Sequence, residues 1–187
     1  MTVANDRRTI GTALAAQIAL AAAFLWLQPR FAIANLHPAA GALLCGAAAG
    51  ALLYLVAARG ALPSRTAFVA RLPSLLLKGG LVTVVAWAEE TLWRGVAFGN
   101  LEARGTVLAL GLTTVCFAAA HVFGQGWPAF RPHLLTGLTF GALFVLTGSL
   151  AAAIAAHATY NLFVVAADHG LRNARRGDAN LQGLSPC

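Results

Sequence analysis

The stretch that decides the fold is LVTVVAWAEETLWRGVAF, residues 81–98. It is long enough to cross the hydrocarbon core of a bilayer as a helix, yet it contains two adjacent carboxylates and an arginine. An ionised side chain that is removed from water is so costly that it is usually paired, neutralised or functional. The stretch therefore predicts both a membrane helix and a polar site within it.

The chain as a whole is strongly apolar. Of its 187 residues, 59% are hydrophobic and only 10% are charged, and the mean hydropathy is +0.73. These values are typical of a membrane protein. The apolar runs predict an all-α, polytopic transmembrane helical bundle with about six spans, of which the fifth is short. The runs are residues 10–27, 39–58, 81–98, 106–123, 134–147 and 150–167.

Two local patterns add detail to this bundle. Residues 63–78 place apolar and basic side chains on different faces, which predicts an amphipathic helix in the membrane interface. Gly79 and Gly80 predict a break after it. Glycines four residues apart allow two helices to pack closely. Two such pairs occur, Gly46 with Gly50 and Gly137 with Gly141.

A single membrane-embedded domain accounts for residues 1–187. No linker, low-complexity tract or fixed repeat divides the chain. Its motifs lie at 81–163, and the polar, basic residues 168–187 predict a flexible cytoplasmic tail.

The net charge of +7 is explained by membrane topology. The basic residues lie between spans and form no dense stripe, so no nucleic-acid partner is predicted. With a cytoplasmic N-terminus, the chain follows the positive-inside rule and both termini are cytoplasmic. Twelve arginines to one lysine favours a bacterial inner membrane. The predicted inner-side residues are Arg7, Arg8, Arg59, Arg65, Arg71, Lys78, Arg131, Arg172, Arg175 and Arg176; the outer ones are Arg30 and Arg104.

The acidic residues within a predicted span are Glu89 and Glu90. On an α-helix Glu90 and Arg94 share a face, and an ion pair between them would lower the cost of burying both. Glu89 points about 100° away from Glu90 and needs a partner on another helix. The histidines within apolar spans, His121 and His157, are the candidates. The other three, which adjoin loops, prolines or glycines, are His37, His133 and His169.

Each candidate histidine has a neighbour on its own helical face. His121 follows Phe117 by four residues, and His157 precedes Asn161 by four, so each pair projects in one direction. Three helices therefore carry one polar face each. Lipid would leave these groups without partners, which predicts that the faces converge.

The three segments EETLWRG, FAAAH and HATYN occur in this order on successive apolar spans. Together they resemble the EExxxR, FxxxH and HxxxN motifs of the CPBP family, which includes the CAAX prenyl endopeptidases of the Rce1 type and the bacterial Abi proteases. Each motif alone is weak, but all three in order within apolar spans form a specific pattern. The resemblance implies an intramembrane endopeptidase that hydrolyses a peptide bond near the membrane.

The resemblance also implies roles for the residues. Glu89 would be the general base that activates water together with His121, and His157 and Asn161 would face the oxyanion. Such a glutamic-type enzyme needs no cofactor. The supporting residues would be Glu90 and Arg94, which brace the helix, and Phe117, which shapes the pocket.

Other functions remain open at this point. A metalloendopeptidase with Zn²⁺ held by Glu89, His121 and His157 ranks second, because the HExxH helix of zincins is missing. A proton-coupled transporter would also bury Glu and His, but no inverted repeat is visible. A catalytically silent bacteriocin-immunity protein on the same fold would not need intact motifs. The expected partners are membrane lipids and a peptide or protein with a hydrophobic or membrane-anchored tail.

Overall fold

The computed structural model describes residues 39–57 and 72–182, with side chains at 39–57 and 76–167. Every regular element of this part of the chain is a helix. The α-helices are α1 (Ala40–Ala57), α2 (Leu72–Glu90), α3 (Gly99–Glu102), α4 (Thr106–Gln125), α5 (Phe130–Thr147) and α6 (Leu150–Gln182). A π-helix, Thr91–Phe98, joins α2 to α3, and a short 3₁₀-helix, Trp127–Ala129, precedes α5.

Within the described residues, 4 helical stretches are long and apolar enough to cross a membrane. They are Ala40–Ala57, Thr106–Gln125, Trp127–Thr147 and Leu150–Ala167. The predicted all-α membrane bundle is therefore confirmed, whereas the number of six spans stays a prediction. The first predicted span, residues 10–27, and most of the interfacial helix, residues 63–71, lie outside the described residues.

The fifth span begins earlier than the sequence predicts. Its helix starts at Phe130 and follows the 3₁₀-helix directly, so the apolar stretch has 21 residues. The sequence prediction was wrong about this start because Pro132 reads as a loop residue. Pro132 lies in the first helical turn, where its missing N–H has no intrahelical partner to lose.

The third predicted span, residues 81–98, is not among these four stretches and stays a prediction, and the helix that contains its start differs from the prediction. Helix α2 continues without interruption through Gly79 and Gly80, so the predicted break between an interfacial helix and the span was wrong. Glycine weakens a helix by only about 0.5–1 kcal/mol relative to alanine. In lipid, a broken helix would leave backbone N–H and C=O groups without hydrogen-bond partners. A Cβ at Gly79 would lie 3.5 Å from Leu162 of α6, which is an ordinary van der Waals contact.

A π-helix replaces the α-helix immediately after Glu90. Such wider turns are rare and are frequently found at functional sites. The segment Thr91–Phe98 carries Arg94, whose side chain is fully buried. The change of helix type thus occurs at the charged residues of the first motif.

Helix α6 packs against α1, α2 and α5. Gly46 and Gly50 of α1 lie against the backbone of Ala152 and Ala156, where a Cβ would overlap a carbonyl oxygen. The predicted close approach at this glycine pair is confirmed. Helix α6 extends to Gln182, into the predicted tail, whose flexibility stays a prediction. Two apolar clusters flank the polar centre: Leu53, Phe140, Leu143, Ala152 and Ala156, and Phe98, Ala109, Phe144, Leu150 and Ala153.

Candidate active site

The two adjacent carboxylates end helix α2 inside the bundle. Glu89 is 4% exposed and Glu90 is 0% exposed. Nη1 of Arg94 lies 3.0 Å from each carboxylate oxygen of Glu90, so the predicted ion pair is confirmed. Because both charges are buried, each depends on the other for the compensation of its lost hydration.

Arg94 also ties the π-helix to α4 and α5. Its Nη2 donates a hydrogen bond to the carbonyl oxygen of Gly137, and its guanidinium carbon lies 5.0 Å from the centre of the Phe117 ring. A Cβ at Gly137 would come within 2.8 Å of that ring. Glycine is therefore required where the arginine, the aromatic ring and α5 meet.

Glu90 has a second partner that the sequence does not reveal. Its Oε1 lies 2.8 Å from Nδ1 of His157. A carboxylate held by Arg94 acts as an acceptor, so Nδ1 of His157 donates the proton of this bond. The sequence analysis assigned Glu90 only to Arg94, because a contact between residues 67 positions apart leaves no periodic signal.

His121, like His157, is oriented by a hydrogen bond at Nδ1, in this case to a carbonyl oxygen of its own helix. Its Nδ1 lies 2.8 Å from the carbonyl oxygen of Phe117, and a carbonyl oxygen can only accept a hydrogen bond. Nδ1 therefore carries a proton, and in a neutral ring Nε2 is the atom with the free lone pair. The motif pair Phe117 and His121 thus fixes a tautomer in addition to sharing a face.

Both Nε2 atoms point towards Glu89. Oε2 of Glu89 lies 3.6 Å from Nε2 of His121 and 3.7 Å from Nε2 of His157. These separations exceed a normal hydrogen bond of about 2.7–3.2 Å, and a water molecule beside the three atoms could contact all of them. The structure therefore brings together side chains from α2, α4 and α6, as the sequence predicts.

A cavity of about 180 Å³ adjoins this group. The four residues predicted to be catalytic, Glu89, His121, His157 and Asn161, all line it. One water needs about 10–15 Å³ of such volume, so the cavity has room for several waters or for a short part of a peptide. Apolar side chains, including Val85, form other parts of its wall.

Helix α5 contributes two rings that sequence reasoning missed. The ring of His133 stacks on His121, with centroids 3.9 Å apart and planes inclined by 20°. The ring of Phe140 stacks on His157, with centroids 4.7 Å apart and planes inclined by 21°. The sequence analysis set His133 aside as a residue near a loop. A usable signal was its position four residues before Gly137, on the face that packs against the motif helices.

The alternative zinc ligands, Glu89, His121 and His157, have the right donor types for that metal. In the part of the chain that the structure describes, however, no group of three or more His, Cys, Asp or Glu side chains is arranged to hold a metal ion. The zinc alternative stays a prediction.

Comparison with known proteins relates this arrangement to a family. A family model described as type II CAAX prenyl endopeptidase Rce1-like matches residues 71–163. This range contains all three motifs and every residue that lines the cavity. No curated protein and no solved structure matches the chain. Over residues 71–163 the chain is therefore similar to the Rce1-like group of type II CAAX prenyl endopeptidases, and this match supports its assignment to the CPBP family of intramembrane proteases.

Proposed function

We propose that this protein is a glutamic-type intramembrane endopeptidase in which Glu89 activates the attacking water. The observation that carries the proposal is the approach of both imidazole Nε2 atoms, at 3.6 and 3.7 Å, to Oε2 of Glu89 at the wall of a cavity. Peptide hydrolysis needs a base for water, a proton donor for the leaving amine and donors for the oxyanion. The residues around this cavity can supply each of them.

The nucleophile is a water between Glu89 and His121. Glu89 removes one proton from this water. The Nε2 lone pair of His121 accepts a hydrogen bond from its other O–H and so orients the oxygen. The water oxygen bonds to the scissile carbonyl carbon. When the C–N bond breaks, Glu89 returns the proton to the departing amine nitrogen, which balances the step.

The oxyanion is stabilised from helix α6. Asn161, one turn after His157 on the same face, supplies an amide N–H. For His157 to donate from Nε2 as well, its ring must be protonated on both nitrogens. Glu90, which lies 2.8 Å from Nδ1, already offsets the charge of Arg94, so the charge of that imidazolium is offset by the oxyanion itself.

The size of the cavity limits what can enter it. A volume of about 180 Å³ is smaller than the roughly 300–1,000 Å³ of pockets that enclose drug-sized ligands. Only the few atoms around the scissile bond fit, so a lipid or other hydrophobic tail of the substrate remains in the bilayer. We infer a substrate with a membrane-anchored tail, cleaved at the inner membrane of a bacterium.

The test uses purified protein in detergent micelles and a quenched fluorescent peptide that ends in a farnesylated Cys-aliphatic-aliphatic-X sequence. Glu89→Gln keeps the shape of the side chain and removes the base, so kcat should fall by about 10²–10⁴-fold. Glu102→Gln, a change at an exposed carboxylate, is the matched control and should leave kcat unchanged. An unchanged rate in Glu89→Gln would overturn the proposal. If the wild type did not cleave the peptide but moved protons into liposomes, the transporter alternative would be favoured.

A further inference from the structure

Helix α5 carries none of the three motifs, yet it places a flat ring against each imidazole beside Glu89. His133 covers His121, and Phe140 covers His157. Both stacks are close to parallel, at 20° and 21°. The two contacts therefore have the same form although they involve different helices, α4 and α6.

The spacing of the two rings explains how one helix serves both sites. His133 and Phe140 are seven residues apart, which puts them about 10.5 Å apart along the axis and on nearly the same face of an α-helix. Gly137 lies between them and permits the close approach of Phe117. One face of α5 thus places the rings of His133 and Phe140 towards the polar centre, with Gly137 between them.

These stacks restrict a motion that the hydrogen bonds leave open. The terminal torsion of a histidine side chain has a broad, shallow preference, and one hydrogen bond at Nδ1 fixes only one atom of the ring. A ring packed on the imidazole face fixes its plane as well. The hydrogen bond and the stacked ring together fix the direction of Nε2, and so its position relative to Glu89.

The two α5 rings are themselves held firmly. Nδ1 of His133 donates to the carbonyl oxygen of Ala129 at 2.7 Å, because that oxygen can only accept. Phe140 is 0% exposed and belongs to an apolar cluster with Leu53 and Leu143. Each ring can therefore act as a fixed surface.

We propose that His133 and Phe140 are positioning residues, which hold the imidazoles of His121 and His157 so that both Nε2 atoms face Glu89. The proposal rests on the proposed function for its effect on rate. Its physical content, the orientation of the two rings, can be measured without any substrate.

The kinetic test compares variants that keep or remove a flat ring. His133→Leu and Phe140→Leu remove the stacks, and kcat for the farnesylated peptide should fall about tenfold or more, since small misplacements of catalytic groups are costly. KM should stay within about twofold, because the tail of the substrate, which remains in the bilayer, keeps its contacts. His133→Phe keeps a flat ring and should keep kcat. Leu138→Ala, at an exposed position of the same helix, is the matched control.

The second measurement is ¹⁵N NMR of histidine-labelled protein in micelles. Wild type and His133→Phe should show His121 in the Nδ1–H form and His157 with a proton on Nδ1, whether or not its Nε2 is also protonated, whereas His133→Leu should mix tautomers at His121 and Phe140→Leu at His157. This readout separates a failure of the stacking proposal from a failure of the proposed function. Phe140→Met, which keeps volume without a ring, replaces Phe140→Leu if that variant does not fold. Unchanged tautomers and kcat in the leucine variants, or an equal loss in His133→Phe, would overturn the proposal.

Discussion

Nδ1 of His157 lies 2.8 Å from Oε1 of Glu90, and this contact joins helix α6 to the end of helix α2. The same carboxylate accepts from Arg94 at 3.0 Å. Glu90 therefore holds a cation of the neighbouring π-helix and an imidazole of the candidate site at once. The first motif explains Glu90 only as the partner of Arg94, but Glu90 also sets the tautomer of His157 on another helix.

Replacing this carboxylate should affect stability and activity together. Glu90→Gln leaves the buried guanidinium of Arg94 without a counter-charge, and breaking a buried pair in this way costs about 3–5 kcal/mol of the free energy of unfolding. The amide also weakens the bond that orients His157, so kcat per folded molecule should fall. Thermal unfolding and cleavage of the farnesylated peptide measure the two effects.

The control for this prediction is Glu102→Gln, which neutralises an exposed carboxylate and should change neither quantity. A Glu90→Gln protein as stable as the wild type would show that the buried pair is not needed. A destabilised variant with full kcat would show that Glu90 does not orient His157.

Metal removal distinguishes the two hydrolytic mechanisms. In the proposed reaction Glu89 activates water directly, so dialysis against EDTA and 1,10-phenanthroline should leave kcat unchanged. Elemental analysis of the active protein should find far less than one zinc per chain. If the chelators abolish cleavage and zinc restores it, the metalloendopeptidase alternative with Glu89, His121 and His157 as ligands replaces the glutamic one.

The parts of this structure that the sequence predicts are those that the bilayer enforces. A long apolar run must form a helix because lipid cannot satisfy exposed backbone groups. A buried glutamate or histidine must find a partner for the same reason. Hence Glu89, His121, His157 and Asn161 could be expected at one cavity although they belong to three different helices.

The parts that escape prediction depend on how the helices register against one another. His133 and Phe140 acquire their role only because Gly137 lets α5 approach Phe117, which no local pattern specifies. The second bond of Glu90 crosses between helices in the same way. At Gly79 and Gly80 a turn signal taken from water-soluble proteins fails, since helix α2 continues through both glycines.

Packing between α1 and α6 should be sensitive to a single methyl group. A Cβ at Gly50 would overlap the carbonyl oxygen of Ala156, and backbone atoms cannot rotate away. Gly50→Ala should therefore lower the free energy of unfolding by about 1–3 kcal/mol, the usual cost of overpacking. Because Ala156 precedes His157, a shift of α6 should lower kcat as well. Thermal unfolding measures the change in stability and peptide cleavage measures the change in kcat, both in the same detergent.

Gly41→Ala is the matched change on the same helix, because a Cβ at Gly41 meets no atom within 4 Å. Alanine is the better helix former there by up to about 1 kcal/mol, so this variant should be as stable as the wild type or more so. Equal stability of Gly50→Ala and Gly41→Ala would contradict the close contact of α1 with α6.

The cavity should open towards the cytoplasm. Gln125 at the end of α4 and His133 at the start of α5 line it, so we expect its mouth on the side of the α4–α5 turn. By the positive-inside rule we expect that turn inside the cell and the turn before α4 outside. Ala103→Cys and Pro128→Cys put a thiol at an exposed position of each turn without changing any charge.

These variants are made in a chain whose own cysteines, Cys45, Cys116 and Cys187, are replaced by alanine, and that parent gives the background signal. A membrane-impermeant maleimide should label Ala103→Cys in intact cells, and Pro128→Cys only after the cells are broken. Substrates would then present the scissile bond from the cytoplasm while their tails stay in the inner leaflet. The reverse labelling pattern would place the mouth of the cavity outside the cell and would exclude cytoplasmic peptides as substrates.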